Sequence, residues 1–118
     1  MIHIVCPSRY KLSTKELKQF VERLMAEKQI STRNIVNIAF VGTRKMKEIA
    51  NTYKNEDVAL PVLAFPYKEI DLAGEQLFGE IVLCYPQVVL LAAERGRKVD
   101  DMIKKMVEHG FMNILKSS

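Results

Sequence analysis

Residues 34 to 41, Asn-Ile-Val-Asn-Ile-Ala-Phe-Val, form a run rich in β-branched and aromatic residues and closed by Gly42-Thr43. Such a run suits a strand largely buried within a sheet. A buried strand needs other elements to cover it, and the flanking sequence supplies them. Before it, Leu17, Phe20, Val21, Leu24 and Met25 recur at helical spacing behind a Ser13/Glu16 capping box. That spacing predicts a helix from about Thr14 to about Gln29. After it, Met46, Ile49, Ala50 and Tyr53 mark the inner face of a second helix, with Thr43 as its N-cap.

The rest of the chain continues the alternation. Ile2 to Val5 reads as a strand closed by Cys6-Pro7-Ser8. Val62 to Phe65, bracketed by Pro61 and Pro66, reads as a short edge strand, because a proline cannot donate to a ladder. Residues 67–77 are polar and read as a loop. Phe78 to Cys84 is a third strong strand, stopped by Tyr85-Pro86. Pro86 suits the first turn of a helix reaching about Arg95, and Gly96 suits its stop. Asp100 and Asp101 favour the start of a last helix that runs toward Leu115. The order predicts an α/β (α+β) layer fold with one mixed sheet of about four strands, as a single domain over residues 1–118.

Apolar residues make up 48% of the chain and charged residues 27%, which argues against disorder. No apolar run approaches the length of a membrane span and no secretory leader is recognisable, so a cytoplasmic protein without a membrane partner is expected. Cys6 and Cys84 lack metal-type spacing and are expected to be reduced and mostly buried. Residues 1–58 hold 11 Lys+Arg against 6 Asp+Glu, whereas residues 59–118 hold 7 against 8. The basic half permits contact with phosphate backbones. Arg44, Lys47 and Lys54 fall on one side of the second helix with Lys45 nearby, either a phosphate-binding stripe or a solvated face. The chain carries no Gly-rich phosphate loop, Ser-His-Asp arrangement or nucleophile elbow, and His3 reads as a surface residue.

The last helix raises the question of a metal. A helical His-x-x-x-His pair sets two imidazoles one turn apart on one face, which suits zinc. Here His109 is followed four residues later by Asn113, and the chain has only two histidines. A three-histidine site cannot be built from this chain alone. Met102, Met106, His109 and Asn113 share one strip, beside the apolar strip of Ile103, Val107, Gly110 and Ile114. The bland reading hydrogen-bonds His109 near the core edge, with Asn113 as a partner. Gly110 costs a helix about 1 kcal/mol relative to alanine, so close approach of a neighbouring element is expected there.

Several strings, taken in order, resemble the YbeY family of bacterial endoribonucleases of ribosomal RNA maturation. Asn51-x-Tyr53 followed by Asp57 loosely matches Asn-x-x-Tyr-Arg-Gly-Lys-Asp. Val62-Leu63-Ala64-Phe65-Pro66 matches Val-Leu-Ser-Phe-Pro, Gly79-Glu80-Ile81-Val82 matches Gly-Asp/Glu-Ile-Val, and Pro86 follows as in the family. Gly96 fits the turn before the last helix, and His109-Gly110 fits the opening of the family's metal motif, His-Gly-x-Leu-His-Leu-x-Gly-x-Asp-His.

The resemblance implies a zinc-dependent hydrolase, yet the departures fall on the chemistry. The family's second histidine ligand falls on Asn113, and its third would fall one residue past Ser118. The functional arginine after the tyrosine falls on Lys54, Gly-Lys becomes Asn55-Glu56, the residues before Val-Leu become Leu60-Pro61, and the serine becomes Ala64. A shortened chain would account for the third ligand but not for Asn113, Lys54 or Ala64. The expectation is a YbeY-like protein without a cofactor. It would bind rRNA, the small ribosomal subunit or a ribosome-associated protein, with Arg44, Lys45, Lys47 and Lys54 on RNA, and with His109 and Lys54 as residual catalytic positions. Two alternatives stand beside it. One is an active, divergent endoribonuclease that recruits replacement ligands such as Glu108 or an oligomeric neighbour. The other is a domain for protein interaction alone.

Overall fold

The computed structural model describes residues 1–70 and 76–117 of the chain. Its elements run β1 (Ile2–Val5), α1 (Thr14–Glu27), β2 (Ile35–Val41), α2 (Thr43–Lys54), β3 (Val62–Ile70), β4 (Gln76–Cys84), α3 (Tyr85–Glu94) and α4 (Val99–Lys116). The four strands form one mixed sheet in the order β1-β2-β4-β3. β1, β2 and β4 are parallel, while β3 runs antiparallel to β4 along the edge. The expected α/β layer fold with a four-stranded mixed sheet is therefore present.

Strand alternation divides the core in two. Val36, Ile38 and Phe40 of β2 and Ile81 and Leu83 of β4 point to one face, where they pack with α1, α3 and α4. Leu63, Val82 and Cys84 point to the other, where they meet only Met46 and Ala50 of α2 among fully buried partners. β2 reflects this imbalance, since every second residue is buried and those between are half-buried.

Local chemistry explains the element ends. Ser13 Oγ accepts the Glu16 backbone N–H at 3.2 Å, which caps α1 as the capping box predicts. α1 ends at Glu27 because Gln29 turns left-handed (φ 57°). Thr43 is the first residue of α2, not its cap; Gly42 holds that position and brings no side-chain hydrogen bond. The expected loop over residues 67–77 is corrected at both ends. β3 continues through Pro66 to Ile70 and β4 begins at Gln76, while residues 71–75 lie outside the described residues. Pro66 pairs with Gly79 and does not end the strand, because an edge strand needs its N–H groups on one side only. A register irregularity between Pro66 and Glu69 follows it.

Candidate functional site

α4 is held to the sheet by a close seam. An ideal Cβ on Gly110 would lie 3.0 Å from Ile81 Cγ2, and one on Gly79 would lie 2.6 Å from Ile114 Cδ1 and 2.8 Å from the Phe65 carbonyl oxygen. Helix and strand thus each contribute a glycine to the other's isoleucine, and the expected close approach at Gly110 is observed. Phe111 is fully buried beside the seam and stacks on Phe78 at 5.4 Å.

The strip carrying His109 does not stay at the core edge. Met102 and Met106 are buried, whereas His109 and Asn113, one and two turns further along, are exposed. Neither side chain makes a hydrogen bond among the described residues, so the expected His109–Asn113 bond is absent. Glu108 is also exposed. Among the described residues no three His, Cys, Asp or Glu side chains lie close enough to share a metal ion. A catalytic zinc takes three protein ligands and an open position, and an amide oxygen is a poor zinc donor. A single imidazole beside an amide does not fit that site.

The basic residues lie elsewhere. Arg44, Lys45, Lys47 and Lys54 are all exposed on α2, on the face of the sheet opposite α4. The fold therefore does not gather His109 and Lys54 onto one face. Lys45 reaches Glu48 at 3.9 Å, and the other three cations form no ion pair among the described residues. At 3.6 residues per turn, Arg44, Lys47 and Lys54 occupy the outer side and one flank of α2. Ile49 and Tyr53 occupy the other flank.

That second flank borders a cleft of about 430 Å³ lined by Ile49, Tyr53, Phe65, Pro66, Tyr67, Glu80 and Val82. Tyr53 was expected on the inner face of α2, yet it is 67% exposed. The reason is that α2 covers the sheet only as far as Val82 and Leu63 and then stops at Lys54. Tyr53 leans edge-on against Phe65, with centroids 5.0 Å apart. Phe65 and Glu80 are cross-strand partners, and the Tyr67 hydroxyl donates to Glu80 Oε2 at 3.3 Å. The sequence signal for this cleft is Glu80, the one charged residue of β4, set within the run Leu77 to Cys84.

The strand order, the α4 seam and the His109-Gly110 pair narrow the choice of families, and the chain's similarity decides it. The sequence model described as Endoribonuclease YbeY matches residues 5–115. This chain belongs to the YbeY family. It is 33% identical over 96 residues to Endoribonuclease YbeY of Azoarcus sp. (strain BH72), covering 78% of this chain and 38% of that protein. With Endoribonuclease YbeY of Pseudomonas putida (strain W619) it shares 33% identity over 92 residues, covering 77% and 59%. The solution structure of TM1509 from Thermotoga maritima superposes with a TM-score of 0.64 at 27% identity, covering 97% of this chain and 71% of that one. The chain spans about half the length of the curated YbeY relatives it matches.

Two of the family departures gain a structural account. Asn55 stands where the family has glycine and ends α2 in the left-handed region (φ 55°), which asparagine tolerates best after glycine. Ala64 is half-buried on the α4 side of the sheet, packed against the larger core. Of the remaining sequence-selected residues, His3 is exposed on β1, Cys84 is buried, and Cys6 is half-buried; both thiols are free. No helix among the described residues is long and apolar enough to cross a membrane.

Proposed function

We propose that this YbeY-family chain serves rRNA maturation or ribosome assembly in the cytoplasm by binding RNA, without metal-dependent hydrolysis by its own residues. The observation that carries the metal-free part is Asn113, an exposed amide one turn from His109 where a second imidazole would be needed. RNA binding is supported by Arg44, Lys47 and Lys54, exposed cations of α2 with no carboxylate neutralising them among the described residues. A lysine at position 54 attracts phosphate as a point charge, without the planar fork of an arginine.

Two measurements on the untagged chain test the reading. Elemental analysis after purification without chelator should find far less than one zinc per chain; one zinc per chain would overturn metal-free action. Titration with a short single-stranded RNA should give a log–log salt slope of about −2 for three phosphate contacts. No RNA binding at low salt would overturn the nucleic-acid role and favour a protein partner.

A further inference from the structure

We propose that the cleft between α2 and the β3/β4 edge binds one unpaired base of single-stranded RNA, and that Glu80 selects guanine. This deepens the RNA-binding reading and rests on it. The cleft lies on the sheet face opposite His109, so it is distinct from the family's metal position.

Three features of the cleft define its occupant. Aromatic rings come first: Tyr53, Phe65 and Tyr67 surround a space of about 430 Å³, and unstacked bases gain their affinity by lying on such rings. Tyr53 is the most exposed of the three residues, at 67%, and its ring makes a T-shaped contact with Phe65.

The carboxylate comes second. Glu80 lines the cleft, half-buried, and no cation pairs with it among the described residues. Its Oε2 accepts the Tyr67 hydroxyl, which fixes the rotation of the group while leaving lone pairs on both oxygens. An ionised carboxylate accepts and never donates. Guanine alone among the four bases presents two adjacent donors, N1–H and the N2 amine, which match its two oxygens. Adenine and cytosine set a ring acceptor beside their amine, and uracil flanks its single N–H with two carbonyls. Each of those would place a lone pair against the carboxylate.

Charge comes third. Lys54 follows Tyr53 at the end of α2, and Lys47 and Arg44 lie beyond it on the outer side and opposite flank of the helix, exposed and without an ion pair among the described residues. A base held with its donor edge at Glu80 and its face on Tyr53 would leave its backbone to the α2 side, where Lys54 is the cation next in sequence to Tyr53.

Fluorescence anisotropy would compare short oligouridylates carrying guanosine, inosine or uridine at the centre, with wild type, Glu80→Gln and Tyr53→Ala. The guanosine oligomer should bind about tenfold tighter than the uridine one, as a bidentate base contact provides. Inosine, which lacks the N2 amine, should fall between them. Glu80→Gln should erase the preference while keeping the salt slope, and Tyr53→Ala should weaken the guanosine oligomer about tenfold. Equal wild-type affinity for guanosine and uridine with a normal salt slope would overturn the base pocket and leave RNA binding intact. Failure to bind any oligomer would overturn both. The wild-type comparison needs no variant, so a variant that misfolds cannot protect the proposal.

Discussion

One sheet serves two unlike surfaces. On the face under α1, α3 and α4, alternate residues of β2 and β4 are fully buried, and paired glycines bring α4 within methyl-group contact of the strand. On the face under α2, one helix of 12 residues covers part of β3 and β4 and leaves a cleft with an exposed tyrosine. Of the residues that match the family's strings, Gly79, Ile81 and Gly110 belong to the first surface, and Tyr53, Leu63, Phe65, Glu80 and Val82 to the second. On the first surface α4 turns Met102, Met106, Gly110 and Phe111 into the core, while His109 and Asn113 are exposed. Packing and chemistry occupy different residues of the same helix, so one is free to change while the other persists.

The largest expected effect is on the packed face. Phe111 is fully buried and stacked on Phe78, and Phe111→Ala should destabilise the chain by about 3–5 kcal/mol in urea unfolding. A loss under 1 kcal/mol would mean that α4 is not part of the cooperative core.

The second effect concerns what α4 carries outward. Asn113→His would set two exposed imidazoles one turn apart on a helix that is already rigid. Without metal the variant should melt like the parent. At zinc about 100-fold above its dissociation constant it should gain about 2.7 kcal/mol, whereas the parent should gain essentially nothing. An equal gain in the parent would show that His109 already has metal-binding neighbours.

The third separates the two glycines of the seam. Gly79→Ala drives a methyl into a backbone carbonyl as well as into Ile114, so it should cost about 1–3 kcal/mol. Gly110→Ala meets only the movable side chain of Ile81 and recovers about 1 kcal/mol of helix propensity, so its net cost should be smaller. The reverse order in a thermal melt would place the rigid side of the seam on the helix.

Much of this arrangement is legible in the sequence. The capping box at Ser13, the β-branched run of β2 and the glycine at position 110 act through local chemistry, and each has the expected consequence. Pro61 and Pro66 correctly mark β3 as an edge strand. Pro66 misleads about its length, because the missing N–H matters only if a neighbour needs it. The exposure of His109 and Tyr53 is not legible. Helical periodicity gives the strip on which a residue lies, but not how far the neighbouring elements extend over it. Met106 and His109 share a strip and differ in burial for that reason. The cleft is hidden for the same cause, since it forms where α2 stops short of the sheet's lower edge. The basic stripe is legible as a stripe, but its separation from His109 depends on which face of the sheet each helix covers.

The smallest effect is the sharpest test of the contrast between the faces. Tyr53→Ala removes an aromatic side chain comparable in size to that of Phe111, but from the open face. The residue is 67% exposed and its main ring partner is the edge contact with Phe65. An aromatic pair of that kind contributes about 0.5–1.5 kcal/mol beyond area burial, and little apolar area is lost with it. Tyr53→Ala should therefore cost about 0.5–1 kcal/mol in the same urea experiment, several-fold less than Phe111→Ala. If the two truncations cost alike, Tyr53 belongs to a closed core and the cleft is not an open surface in solution. If Tyr53→Ala is nearly silent in stability but weakens RNA binding, the open face is the one on which this scaffold spends its exposed chemistry.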